Sequence, residues 1–173
     1  MLQHTLAWYR GELLEGVAIA VTALVLAMSV TIAYFVSYAP AVKYLVIPFW
    51  LVALIFVGIG VAMAWSNYQA MPKVEEAYQL TAGVNFAQQE LERVASFQYL
   101  YTATAAVSAV FFLGGVATLL YSHNVIIKGV AFTFVTTACM LMAIDYFSKI
   151  RADRYKQQVE VYLTQDRVNQ ESY

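Results

Sequence analysis

The sequence has few charged residues for a chain of its size. Charged side chains occupy 12% of its 173 positions, whereas soluble domains carry about 25%. A small water-soluble protein has too much surface to cover with so few charges. The net charge of −1 also provides no general attraction to nucleic acid or to anionic lipid. The composition therefore argues against a soluble domain, and we predict no nucleic-acid partner.

Side chains that build catalytic and metal centres are equally scarce. The single cysteine, Cys139, lies in an apolar run, so neither an intrachain disulfide nor a cysteine-based metal site can form. His4 and His123 both lie outside the apolar runs, and a haem held between spans needs an axial ligand such as histidine from within them. No Walker loop, Gly-x-Ser-x-Gly or Gly-x-Gly-x-x-Gly motif occurs. We therefore predict no cofactor, no metal and no catalytic centre, and expect that the protein is not an enzyme.

What the sequence does contain is apolar residues, 61% of the chain. Four runs reach the roughly twenty residues that a helix needs to cross the hydrocarbon layer, at about 17–37, 45–65, 99–121 and 125–147. The residues before the first run include one base, Arg10, and no cleavage site ends the run, so we expect it to be retained rather than removed as a signal peptide. The predicted fold class is all-α, a four-helix transmembrane bundle in a single domain.

The distribution of bases predicts the orientation. The two short connectors hold Lys43 and Lys128, whereas the opposite side holds eight bases: Arg10, Lys73, Arg93, Lys149, Arg151, Arg154, Lys156 and Arg167. Because basic loops stay in the cytoplasm, we predict a multi-pass cell-membrane protein with cytoplasmic N- and C-termini. Short outer connectors without acids or cysteines are typical of a bacterial inner membrane.

The spans are predicted to continue as helices on the cytoplasmic side. Residues 66–98 carry apolar side chains spaced alternately by three and four, which is a heptad pattern: Ala77, Leu80, Val84, Ala87, Leu91 and Val94. One interpretation is a coiled-coil-like hairpin that turns near Gly83, and the other is a loop near Pro72 followed by one long helix. We favour the hairpin because the chain must return to the membrane. A C-terminal helix is predicted over about 148–170, with Tyr155, Val159 and Tyr162 on one face.

Few residues within the spans suggest a specific role. Gly60 and Ala64 form a small-xxx-small pair of the kind that lets membrane helices approach closely. Asp145 is an acid inside a span, which makes it a candidate for an ion path or an interaction, although Lys149 lies four residues away, within reach of an ion pair.

Two hypotheses about function follow. The first is a non-catalytic scaffold or accessory subunit that assembles, with itself or within a larger membrane complex, through its spans and its heptad-bearing helices. The second is an oligomeric ion channel or small transporter that uses Asp145 and the hydroxyl groups of the spans. Membrane lipid is a partner in both.

Overall fold

The fold is all-α, as predicted. The computed structural model describes residues 1–37, 40–81 and 83–171, and these ranges contain four long α-helices and no strand. The side chain of Arg167, one of the eight bases used to predict orientation, lies outside the described part. The helices are α1 (Leu2–Val36), α2 (Lys43–Leu80), α3 (Gly83–Tyr121) and α4 (Val125–Glu171), with a single 3-10 turn (Pro40–Val42) before α2.

Each helix is long and apolar enough to cross a membrane. The most apolar window of each has a mean hydropathy between 1.9 and 2.6, yet only 11–28% of the residues in these windows are buried within the chain. Water would not tolerate so much exposed apolar surface, whereas lipid is as apolar as the side chains themselves. The chain is therefore an integral, multi-pass membrane protein.

All four helices extend beyond the predicted spans at one end of the bundle. We call this end, which holds residues 1–16, 66–98 and 148–171, the polar end, and the opposite end the short-loop end. α2 continues through Pro72 to Leu80 and α3 begins at Gly83, so the chain turns near Gly83 and not near Pro72. At the short-loop end, the Asn124 side chain caps α4 by accepting a bond of 2.9 Å from the backbone N–H of Ile126, as asparagine commonly does.

The helices pack as two hairpins, α1 with α2 and α3 with α4, joined mainly through α4. At the short-loop end, Gly129 of α4 lies against the backbone of Tyr44 in α2. Farther along, Met140, Leu141 and Ile144 of α4 pack against a core formed by α1 and α2. α3 packs along α4 and far less against α2, and its apolar window is the least buried of the four, at 11%. α4 is thus central and α3 peripheral.

The closest approach of α1 and α2 occurs at two glycines. A Cβ placed on Gly16 would lie 2.6 Å from the carbonyl oxygen of Gly60, and 2.9 Å from the backbone nitrogen of Ala64. A Cβ on Gly60 would in turn meet Gly16 and Ala20. The small-xxx-small pair predicted at Gly60 and Ala64 therefore packs against a second small pair, Gly16 and Ala20, of the same chain.

The polar end has an apolar core of its own, built from all four helices. Its buried members are Trp8, Tyr9, Val74, Phe86, Ala87, Val94, Tyr155 and Val159. Helices gain most of their stability from packing. The contacts among these apolar side chains, which come from all four helices, therefore explain why the helices extend beyond the predicted spans.

Candidate functional site

The polar end contains a cluster of polar side chains within its aromatic core, in which Glu90 is buried and Arg93 is 32% exposed. Arg93 of α3 lies beneath the N-terminal part of α1, with its Cζ atom 4.6 Å from the ring centroid of Trp8 and 5.0 Å from that of Tyr9. Both distances are within the range of a cation–π interaction, which strengthens when the cation is desolvated. Trp8 also stacks on Phe97 and Tyr155, with centroids 6.1 and 5.5 Å away, so the arginine is fixed among rings from three helices.

Glu90 neutralises this arginine one helical turn away. The Nε of Arg93 donates to Oε1 of Glu90 at 3.1 Å, and its Nη2 donates to Oε2 at 2.6 Å, which makes the pair bidentate. Burial lowers the pKa of Arg93, but the hydrogen bond and the charge of Glu90 outweigh it, and the pKa is raised. The bidentate geometry satisfies both partners and fixes the arginine against the buried Glu90.

Tyr155 links this ion pair to α1. Its hydroxyl oxygen lies 2.8 Å from Oε2 of Glu90 and 2.9 Å from Oγ1 of Thr5, and Thr5 is completely buried. A phenol has one hydrogen and a carboxylate only accepts, so Tyr155 donates to Glu90 while the Thr5 hydroxyl donates to Tyr155. Burial raises the pKa of Tyr155, and the neighbouring charge of Glu90 raises it further, so the phenol remains a donor. We call Thr5, Glu90, Arg93 and Tyr155 the buried polar cluster.

A second group of charges lies nearer the predicted membrane boundary. Arg151 of α4 forms ion pairs with Glu12, at 3.3 Å, and with Glu15, and its Nη1 donates to the carbonyl oxygen of Gly11 at 2.8 Å. The Ser148 hydroxyl donates to Glu15. Burial raises the pKa of Glu12, although Arg151 opposes the rise. We call Glu12, Glu15, Ser148 and Arg151 the boundary cluster; it ties α1 to α4.

The residues of the predicted heptad lie in different environments. Ala87 and Val94 are fully buried in the polar-end core, and Ala77 and Leu91 pack against it. Val84 is half-buried. Leu80 is 80% exposed and stands outside this core, so the pattern does not form one continuous seam within the chain. Of the C-terminal face, Tyr155 and Val159 are buried and Tyr162 packs against them.

Asp145 lies in a groove between α3 and α4. Among the described residues its carboxylate forms no ion pair with Lys149, although the spacing allowed one, and its Oδ2 atom is buried without a hydrogen-bond partner. The groove has a volume of about 690 Å³, and Lys149, Asp153 and Tyr101 also line it. The expectation of an Asp145–Lys149 ion pair was therefore wrong, because Lys149 stays exposed.

The hydroxyl groups of the spans mostly bond to their own helix. Ser29, Thr104, Thr118, Thr133 and Thr136 each donate to the carbonyl oxygen four residues earlier. Within the described ranges, no group of three or more His, Cys, Asp or Glu side chains could hold a metal ion.

The sequence matches no protein-family model, and no curated protein or solved structure is significantly similar to it.

Sequence reasoning did not identify either cluster. The spacing Glu90-x-x-Arg93 and the shared helix face of Glu12 and Glu15 were visible signals, but both are also typical of solvated surface helices. The partner Tyr155, 65 residues from Glu90, cannot be found from spacing within one helix.

Proposed function

We propose that the chain is a non-catalytic integral membrane scaffold or accessory subunit, which assembles through its spans and its polar-end helices. The observation that carries the proposal is that the charged side chains of the polar end bond to side chains of neighbouring helices. Glu90 of α3 accepts hydrogen bonds from Arg93 of the same helix and from Tyr155 of α4, and Arg151 of α4 forms an ion pair with Glu12 of α1. These bonds tie α4 to α3 and to α1, which suits a structural role better than proton transfer or nucleophilic attack.

The peripheral helix α3 is the proposed assembly surface within the membrane. Four small residues spaced by three, eight and three positions are exposed along it: Ala103, Ala106, Gly114 and Ala117. A Cβ on Gly114 would meet nothing within 4 Å, so the helix surface is open there. Small residues allow the close contact that drives helix association in lipid, and the chain already uses such contact between Gly16 and Gly60.

Crosslinking through introduced cysteines tests this assembly surface. In a Cys139→Ser background, Gly114→Cys places a thiol on α3, and Gly58→Cys places a matched thiol at another exposed glycine with nothing within 4 Å of its Cβ. Oxidation should give covalent dimers of the Gly114→Cys variant and far fewer of the Gly58→Cys variant. Equal crosslinking of the two would contradict α3 as the contact helix.

A pull-down in mild detergent, combined with blue-native gels and mass spectrometry, tests the wider proposal. It should show either a homo-oligomer or a stable complex with another membrane protein. A strict monomer without any co-purifying protein would refute the scaffold and accessory-subunit role.

We further propose that the polar end faces the cytoplasm, because seven of the described bases lie on that side or at its edge, against Lys43 and Lys128 at the other. A bacterial inner membrane is the proposed location. A phosphatase and a fluorescent protein are each fused after residue 173 and in the connector at residue 123, and the two sites should report opposite sides of the membrane. The fluorescent protein should be fluorescent only when it is fused after residue 173.

The second candidate function is an oligomeric channel or small transporter. It is favoured by one observation, the buried and unpartnered Oδ2 atom of Asp145 within a span, because intramembrane acids commonly mark ion paths. Ion flux into liposomes that Asp145→Asn abolishes would support this function, and a lack of flux under sodium, potassium and proton gradients would count against it.

A further inference from the structure

The groove between α3 and α4 has the features of a lipid-headgroup site. It lies where the predicted third span begins and the fourth ends, so it straddles the boundary between hydrocarbon and headgroups. Its deeper part is lined by Ala105 and Met142, and its outer part by Asp145, Lys149 and Asp153. The lining thus changes from apolar to charged in the direction in which a phospholipid changes from acyl chain to headgroup.

The charges of the groove alternate in sign. Asp145, Lys149 and Asp153 are spaced by four residues on one face of α4 and therefore follow one another along the helix. Within the described residues none of them forms an ion pair with another side chain. In contrast, Glu12 and Glu15 of α1 are both paired with Arg151. The three groove charges thus remain available to a ligand.

From this arrangement we propose that the groove binds a zwitterionic aminophospholipid of the phosphatidylethanolamine type. Lys149 binds the phosphate, and Asp153 binds the primary ammonium group beyond it. The acyl chains follow the apolar surface of α3 and α4 past Ala105 and Met142.

The charge balance selects the ammonium headgroup over an anionic one. Two carboxylates and one lysine give the groove a net charge of −1, so an anionic headgroup such as phosphatidylglycerol meets more repulsion than attraction. A quaternary ammonium, as in phosphatidylcholine, keeps the charge but has no N–H to donate to Asp153, and charge-assisted hydrogen bonds are stronger than neutral ones. The expected order of binding is phosphatidylethanolamine, then phosphatidylcholine, then phosphatidylglycerol.

Native mass spectrometry of the full chain in mild detergent tests this order. Equimolar amounts of the three lipids, with equal acyl chains, are added, and the lipid-bound fractions are compared. Phosphatidylethanolamine should be retained about twofold to fivefold more than phosphatidylglycerol, which is the range that one partly exposed charge contact supplies. Equal retention of all three lipids would overturn the proposal and indicate nonspecific annular lipid.

Variants separate the site from general lipid binding. Asp153→Asn should remove the preference for phosphatidylethanolamine over phosphatidylglycerol, and Lys149→Gln should weaken retention of both. Glu160→Gln, which neutralises an exposed acid of α4 outside the groove, should leave the preference unchanged. A preference that survives Asp153→Asn, or is lost equally in Glu160→Gln, would refute the assignment.

A soluble headgroup distinguishes the source of the ligand. Phosphoethanolamine, which has no acyl chains, should fail to displace the bound lipid at equal concentration, because the apolar part of the groove contributes nothing to its binding. Full displacement would instead identify a site for the free headgroup and refute the lipid assignment. The inference is independent of the assembly proposal, because a monomer can retain the lipid preference, and an oligomer can lack it.

Discussion

The close contact between Gly16 and Gly60 predicts that one added methyl group lowers the stability of the protein at Gly60 but not at the nearby Gly58. In Gly60→Ala, the new Cβ would lie 3.0 Å from the backbone nitrogen of Ala20 and 3.1 Å from its Cβ, and closer still to the carbonyl oxygen of Gly16. Backbone atoms cannot rotate away, and non-bonded carbon atoms prefer separations of about 3.5–4.0 Å. The two helices must therefore move apart by roughly 0.5–1 Å, a gap that already forfeits a quarter to a half of each nearby contact.

We expect Gly60→Ala to reduce the free energy of unfolding by about 1–3 kcal/mol, the usual cost of overpacking. Gly58→Ala is the matched control, since it adds the same methyl to the same helix two residues away, where nothing lies within 4 Å. There only the higher helix propensity of alanine acts, and stability should be unchanged or rise by up to about 1 kcal/mol.

The second hairpin offers an equivalent pair. Gly115→Ala would place its Cβ 2.7 Å from a Cγ2 atom of Val135 and 3.0 Å from the carbonyl oxygen of Ala131, whereas Gly114→Ala would meet nothing within 4 Å. Because the backbone atoms that a Cβ on Gly115 would meet lie farther away than those at Gly60, Gly115→Ala should cost less than Gly60→Ala.

Unfolding by SDS in mild-detergent micelles, followed by circular dichroism and tryptophan fluorescence, measures all four variants on one scale. The expected order of stability places Gly58→Ala and Gly114→Ala above Gly115→Ala, and Gly60→Ala lowest. If Gly60→Ala unfolded at the same SDS fraction as Gly58→Ala, the close crossing of α1 and α2 would be wrong.

Three further predictions concern the charged and aromatic groups of the polar end, each measured by the same SDS unfolding. Tyr155→Phe removes a hydrogen bond to the Glu90 carboxylate and another to the buried Thr5 and should cost about 1–3 kcal/mol, whereas Tyr146→Phe, at a residue 64% exposed, should have little effect; equal effects would contradict the buried polar cluster. Arg151→Met leaves the acids Glu12 and Glu15 without the cation that pairs with them, so the loss of stability should exceed that of Tyr155→Phe. The loss should become smaller as the pH is lowered toward 4.5, and a loss independent of pH would contradict the ion pairs. In the native chain, burial raises the pKa of Glu12 above the ordinary value of a glutamate. The folded state therefore binds more protons than the unfolded state, and the contribution of Glu12 to stability falls as the pH rises from the ordinary pKa to the raised one. Glu12→Gln should remove that part of the pH dependence, and an unchanged pH profile would show that Glu12 does not titrate as proposed.

The sequence was sufficient to predict the elements but not their partners. Four apolar runs of membrane-spanning length have no alternative as a fold, and the four-span, all-α prediction was confirmed for that reason. Helical periodicity also identified Ala87 and Val94 as apolar positions facing one side. Periodicity indicates which face of a helix is apolar, however, and not which helix covers it.

The long-range contacts of the clusters show why this information was missing. Thr5 and Tyr155 are 150 residues apart in sequence, and no rule based on spacing within one helix joins them. Gly60 and Ala64 were recognised as packing residues, whereas Gly16 was not, because a single glycine before a span has no distinctive pattern. At Asp145 and Lys149 the spacing was correct, yet hydration of the exposed lysine competes successfully with the surface ion pair, which is worth little in any case.

The central position of α4 also sets the order in which the protein can be completed during synthesis. α4 is made after α1, α2 and α3, and it supplies the main packing surface for α3 and the link between the two hairpins. While residues 1–124 are being inserted, α3 must therefore wait in lipid without its principal neighbour, and Thr5 has no Tyr155 to bond. A ribosome that stalls before α4 would leave α1 packed against α2 but α3 without its principal neighbour, so an unpartnered α3 would distinguish such a chain for quality-control proteases.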